Sequence, residues 1–292
     1  MARGPRKHPR DARHERLLKR GTVEHYGDTA LYDFEYEERE EDREWYRALA
    51  RAQAPHTAIL ELGAGTGRIS CPLADDGHAV LALDSMPSML AALAQRVAAR
   101  SRPGTITPIE ADMRRLPLDD ASVDLVIAPF NALMHLYTWT ELLACFREVQ
   151  RVLLPGGTFA FDVEFPDLEW LMWDPEERHA ITPFTHPVTG ERLVYSTNHT
   201  YDPGSQVCHI RIYYDRASRP GGGFMPPAKP HKLVHLAHRQ IFPEEVRMLV
   251  AQAGLELLSH TGDFEDVSLG PSVQSQVVVC TKRAPSAPGA KP

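Results

Sequence analysis

The sequence predicts an α/β fold built on a doubly wound parallel sheet, and three observations carry that expectation. Short, continuously apolar runs near residues 58–62, 79–83, 106–109, 123–130 and 157–163 alternate with segments of helical periodicity. The first run breaks into Gly63, Gly65 and Gly67, and Ile69 and Leu73 then resume at helical spacing. The second ends in Asp84, one helix and one strand after that turn.

Each element has a local reason. Residues 58–70 read AILELGAGTGRIS, a buried strand, a tight turn and a helix N-terminus. Glycine permits positive φ and the close approach of a ligand, and the free N–H groups of the first helical turn then face that ligand. The helix of residues 67–76 stops at Gly77, a left-handed cap. Asp84 closes the second strand beside the glycine turn, where a carboxylate can accept both hydroxyls of a ribose. Ser85 is placed to cap the next helix, with Pro87 in its first turn and Met89, Leu90, Leu93 and Val97 on its buried face. The run 106–109 leads into Glu110, Ala111, Asp112 and Met113, and VDLVIAPF forms the fourth strand. Asn131 to His135 follow in the crevice where open parallel sheets bind ligands. Thr138 and Glu141 make a capping box for a helix whose apolar residues are Leu142, Leu143, Phe146, Val149 and Leu153. LLPGG ends it, and GTFAFDV is the fifth strand.

At 292 residues, a single α/β domain with one elaboration is expected, and the formal charge of −7 argues against nucleic acid as the main partner. No apolar run approaches the length of a membrane span, and the N-terminus has no apolar leader core. Cys71, Cys145, Cys208 and Cys280 lie far apart in apolar contexts, as reduced thiols of a cytoplasmic protein do.

The expected organisation has six parts. Residues 1–22 carry eight Arg or Lys against two acids in the first twenty positions and read as a disordered basic arm. Residues 23–55 form a helical segment with Tyr26, Tyr32 and Tyr36, usable as packing or as a lid. Residues 56–163 are the nucleotide-binding core, and 164–241 are a small antiparallel β insertion expected to cover the carboxyl edge of the sheet as an acceptor lid or an oligomer surface. In that insertion, strands at 191–201 and 207–214 turn at Asp202, Pro203 and Gly204, and a third strand lies at 232–241. A Gly- and Pro-rich loop at 219–230 is expected to be mobile. Residues 242–282 complete the core with a helix and two strands, and 283–292 form a disordered tail.

ELGAGTG, Asp84, Ala111-Asp112-Met113, VDLVIAPF and LLPGG occur in the order and spacing of class I S-adenosylmethionine (SAM)-dependent methyltransferases, and residues 32–282 resemble that family. The resemblance implies a Rossmann-like seven-stranded sheet whose last strand is reversed. The tyrosine-rich front and the insertion after strand 5 are similar in layout to glycine N-methyltransferase and the amino-sugar N,N-dimethyltransferases. Carried over by position, the family's SAM contacts fall on Glu61, Gly63, Ala64, Gly65 and Gly67 at the methionine part, and on Asp84, Ser85 and Met89 at the ribose. Asp112 and Met113 meet the adenine, and Ala128 and Phe130 approach from strand 4. Tyr32, Tyr36, Asn131, Tyr137 and His238 are acceptor-binding candidates. His135 is the candidate general base, or else a packed histidine at a helix start. Direct transfer from a sulfonium needs no metal.

The end of strand 4 reads APFNAL, without the Asn/Asp-Pro-Pro-aromatic signature of nucleobase amino methylation and without the Pro-Cys pair used on pyrimidine carbon. The leading expectation is therefore methylation of a small-molecule acceptor, nitrogen ahead of oxygen or carbon, with a homo-oligomer through the insertion as an accessory expectation. Methylation of RNA or protein and a non-catalytic SAM-binding subunit stand as alternatives.

Overall fold

The computed structural model describes residues 9–53, 57–99, 101–217 and 226–284, with side chains from residue 14 onward. In chain order the elements are α1 (Pro9–Val23), α2 (Thr29–Tyr36), α3 (Glu41–Arg51), β1 (Ala58–Leu62), α4 (Ser70–Asp75), β2 (Ala79–Asp84), α5 (Pro87–Ala98), β3 (Thr105–Glu110), β4 (Val123–Ala128), α6 (Trp139–Val152), β5 (Leu153–Glu164) and α7 (Leu168–Leu171). Then come β6 (His179–Thr185), β7 (Arg192–Asp202), β8 (Val207–Arg216), β9 (Lys232–Arg239), α8 (Pro243–Gln252), β10 (Leu255–Gly262) and β11 (Ser275–Lys282). A 3₁₀ turn spans Ala132–His135. Among the described residues, no helix is long and apolar enough to cross a membrane.

The chain divides into two compact units, one from Met1–Phe34 with Leu168–Arg239, the other from Glu35–Asp167 with Gln240–Pro292. The larger holds a seven-stranded sheet in the order β10-β11-β5-β4-β1-β2-β3. The strands from β1 to β5 pair in parallel, and β11 enters antiparallel against β5. This is the reversed strand that the resemblance implies. Strand order turns back between β1 and β4, so the carboxyl ends of those two strands flank the crevice.

Burial on both faces explains the continuous apolar runs. Ile59, Leu125, Ile127 and Ala160 pack on Tyr46 and Ala50 of α3 and on Leu73 of α4. Their alternates Leu60, Leu62, Val126, Phe159 and Phe161 pack on Phe146 and Val149 of α6 and on Val246 and Leu249 of α8. Parallel strands covered on both faces have no solvent side to make polar. The capping box of α6 is formed, with the Glu141 N–H donating to the Thr138 hydroxyl oxygen at 3.2 Å and the Thr138 N–H donating to the Glu141 carboxylate at 3.1 Å.

The smaller unit contains an antiparallel sheet in the order β6-β7-β8-β9. Leu193, Ile212, Tyr214, Val234 and Leu236 form its core with Leu31. Its β7–β8 turn falls at the expected place, where the Gly204 N–H donates to Asp202 Oδ1 at 3.0 Å.

The structure differs from the sequence expectations in four respects. Residues 9–22, expected within a disordered arm, belong to helix α1, and a Cβ on Gly21 would lie 2.5 Å from the Cβ of Ala237. Glycine there lets the helix approach β9, and the Glu24 carboxylate accepts the backbone N–H of His235 at 3.0 Å. The segment 23–55 is not one piece, because the division between units falls after Phe34. The insertion has four strands rather than three, because β6 pairs along β7 despite a sequence without clear alternation. Ser85 does not cap α5: the N-cap position falls on Met86, and the Asp84 carboxylate takes the Met86 N–H instead. Residues 1–8, most of the loop 219–230, and 285–292 lie outside the described residues.

Candidate cofactor and acceptor site

The glycine turn after β1 is built from three positive φ values, +71° at Gly63, +56° at Gly65 and +88° at Gly67. Each glycine answers a different need. A Cβ on Gly63 would sit 2.8 Å from the Cβ of Ala132, and one on Gly67 would sit 2.4 Å from Leu93 Cδ1 on α5. Around Gly65 such an atom meets nothing within 4 Å, so the turn is open on that side. The Ala64 N–H donates to the Leu83 carbonyl at 2.9 Å, tying the turn to the end of β2.

Asp84 stands where the strand-end acid was expected and is 9% exposed. Its Oδ2 accepts the Gly65 N–H and its Oδ1 the Met86 N–H, both at 2.8 Å. Burial pushes this carboxyl up from its usual value, and the N–H groups of Met86, Gly65 and Ser85 pull it back. A carboxylate has about four acceptor directions and these N–H groups take three, so this one keeps capacity for a ribose hydroxyl. The open side of Gly65 and this acceptor together fit a bound nucleoside.

Glu61 is 2% exposed, accepts the hydroxyl of Ser70, and is pushed up to about 8 by burial. Ser85 is exposed, whereas Met89, 1% exposed, belongs to the core under α5. Asp112 is exposed and held below its usual value by Arg114, whose Nη2 lies 2.6 Å from Oδ2. Arg114 also reaches Glu141, which ties the loop after β3 to the start of α6. Met113 is half-buried beside the core and Ala128 is fully buried.

At the end of β4, Phe130 and Asn131 have φ of 51° and 65°. The Phe130 ring lies under two guanidinium groups, Arg39 at 5.1 Å and Arg68 at 5.0 Å, and its edge contacts Tyr36 at 4.9 Å between centroids. Arg68 also donates to the fully buried Asp42 at 2.9 Å. Asn131 Oδ1 accepts the Glu164 N–H at 2.7 Å, and its amide lies 3.5 Å from the Glu164 carboxylate. His135, half-buried, ends the 3₁₀ turn, 6.5 Å from Tyr137 between ring centroids. Thus Tyr36, Phe130 and Asn131 gather with motif-adjacent Arg68 in the larger unit, while Tyr32 and His238 belong to the smaller one. There Tyr32 contacts His25 and Tyr26 at 5.8 and 5.7 Å, and His238 is 7% exposed.

Sequence reasoning missed Arg39, Asp42, Tyr46, Arg68 and Asp162. Only Asp162 carried a signal, as the lone charge inside the apolar strand GTFAFDV.

Comparison with known proteins agrees with this geometry. Residues 59–157 match the family described as "Methyltransferase domain". YqeM of Bacillus subtilis, a protein named as a methyltransferase, is 32% identical over 243 residues, covering 80% of this chain and 86% of YqeM. Among solved structures, the CcbJ methyltransferase of Streptomyces caelestis superposes with a TM-score of 0.68 at 27% identity, covering 89% of this chain and 98% of that one. SAM-bound CalS10 of Micromonospora echinaspora, an amino pentose methyltransferase, shares the fold with a TM-score of 0.57 at 19% identity, covering 97% and 100% of the two chains. The glycine turn, the strand-end Asp84, the reversed last strand and these similarities place the chain in one family: it belongs to the class I SAM-dependent methyltransferases.

Proposed function

We propose that this enzyme methylates a small-molecule amine. One observation carries the choice of nitrogen. At the carboxyl ends of β4 and β5 a carboxylate, Glu164, lies beside the Asn131 amide, and an anionic group there favours a cationic amine over a neutral phenol. The amino pentose methyltransferase that shares the fold acts on an acceptor of that kind.

The bound cofactor supplies an electrophilic methyl group on a cationic sulfur. The chain's contribution is alignment and proton handling. Asp84 holds the ribose, Glu61 and the glycine turn meet the methionine part, and Asp112 with Met113 meets the adenine. Asn131, Tyr36 and Tyr137 orient the acceptor. The acceptor amine must therefore offer a free lone pair to that methyl group. An ammonium has no lone pair, so its proton must leave first, and His135 is the residue assigned to accept it. Correct alignment of reacting groups is worth up to ~7–11 kcal/mol of barrier. The four cysteines are buried and none forms a disulfide, which accords with a reducing compartment, so the cytoplasm belongs to the same proposal.

The test is a panel of small amines, amino sugars and phenols incubated with SAM and read by mass spectrometry. A 14-dalton gain on amines, with S-adenosylhomocysteine formed in equal amount, is the expected result. Gain confined to phenols, carbon acids or RNA would overturn the assignment to nitrogen.

A further inference from the structure

The exit of β4 is strained, and a buried carboxylate from the neighbouring strand holds it. Phe130 and Asn131 are consecutive non-glycine residues with φ of 51° and 65°, a region where a Cβ crowds the following carbonyl. Such a pair persists only where surrounding groups over-determine it. Three hydrogen bonds do so here. Asp162 Oδ1 accepts the Phe130 N–H at 2.8 Å, the Asp162 carbonyl accepts the Asn131 N–H at 3.3 Å, and Asn131 Oδ1 accepts the Glu164 N–H at 2.7 Å. Asp162 is 1% exposed, and the same Oδ1 accepts the Tyr46 hydroxyl at 2.7 Å, linking β5 to α3.

The strain has two consequences for the reaction. Ala132, where the 3₁₀ turn starts, lies where a Cβ on Gly63 would be only 2.8 Å away, so the exit sits directly on the glycine turn. The turn itself carries His135 and follows Asn131 without a linker. We propose that Asp162 is a positioning residue for methyl transfer: by accepting the Phe130 N–H, it fixes the strained β4 exit and so sets the acceptor-side groups against the cofactor turn. This rests on the reading that the β4 exit faces the acceptor. The role depends on an acceptor oxygen at the Oδ1 position, since one atom takes both donors.

That dependence separates two variants. Asp162→Asn keeps a carbonyl oxygen able to take both N–H and O–H, whereas Asp162→Leu fills the volume and accepts neither. With the best acceptor from the amine and phenol panel, Asp162→Leu is expected to lower kcat by about tenfold or more, as misplaced reacting groups do. Its KM for SAM and its calorimetric Kd for S-adenosylhomocysteine should stay within about twofold of wild type, because Asp84 and the glycine turn are untouched. Asp162→Asn should keep at least about a third of wild-type kcat. A merely structural role would move cofactor affinity and turnover together.

Amide hydrogen exchange supplies a readout independent of any acceptor, and it decides the matter if no panel compound is methylated; if Asp162→Leu fails to fold, turnover and exchange in Asp162→Asn carry the test. Exchange at residues 130–135 should be slow in wild type and in Asp162→Asn, and faster than the glycine turn's in folded Asp162→Leu. Unchanged kcat in Asp162→Leu, loss of S-adenosylhomocysteine affinity in proportion to kcat, or deprotection of 130–135 in Asp162→Asn equal to that of the whole sheet would each overturn the proposal.

Discussion

Glu61→Gln gives a direct measure of how far burial of the motif carboxyl works against the fold. Burial raises the Glu61 carboxyl from its usual 4.5 to about 8. A raised value means that the folded state prefers the protonated form. The stability associated with that group is complete below about pH 4.5 and is lost as pH rises toward 8. At ~1.4 kcal/mol for each tenfold, the whole interval corresponds to roughly 5 kcal/mol, and the part below pH 5 to under about 1 kcal/mol. The side chain is fully buried, so solvent screening does not reduce this figure much. Gln keeps an oxygen for the Ser70 hydroxyl and never ionises, so the variant should lack the loss. Urea unfolding followed by tryptophan fluorescence reports on this region, because Trp45 packs on the core cluster that contains Ile59 of β1. The stability difference, variant minus wild type, is expected to grow by about 4 kcal/mol between pH 5 and pH 8. A difference constant to within about 1 kcal/mol across that range would refute the reasoning. The gain should come with weaker cofactor binding, since the charged form, worth ~1.5–3 kcal/mol per hydrogen bond, is the one suited to the methionine ammonium.

Three further outcomes are expected. Asp84→Asn exchanges one acceptor oxygen for a donor facing the Gly65 or Met86 N–H, and should weaken calorimetric S-adenosylhomocysteine binding by about 10²-fold or more; affinity within threefold would remove the ribose role. His135→Ala should lower kcat more than cofactor affinity, and the rate of a protonated amine should recover as pH is raised above the amine's own pKa; a loss that is the same at every pH would exclude the base role. Gly67→Ala combines φ of +88° with a Cβ 2.4 Å from Leu93 Cδ1, and should lower the melting temperature through ~1–3 kcal/mol of strain plus displacement of α5; an unchanged melting temperature would show that α5 yields freely.

Much of the site is written in short stretches of chain. ELGAGTG needs only its own residues to specify a strand, a turn of positive φ and a helix start, because glycine's freedom is a property of the backbone. Asp84 was legible for a similar reason: a single acid ending an apolar strand can sit only at the strand's mouth. The capping box at Thr138 and Glu141 is likewise a contact within four residues. The helix at 9–23 was not legible, since charge density in that segment favours solvent until β9 offers a surface. Strand β6 has little alternation of its own and exists because β7 presents an edge to it.

The sequence by itself determined the sheet's parallel half, the cofactor turn and the acid beside it, since periodicity and backbone preference act over a few residues. Only the tertiary structure decided what stands behind that turn. Tyr46 meets Asp162 across 116 positions and Arg68 meets Asp42 across 26. A buried charge must find its partner wherever the fold brings one, and no spacing along the chain encodes that meeting.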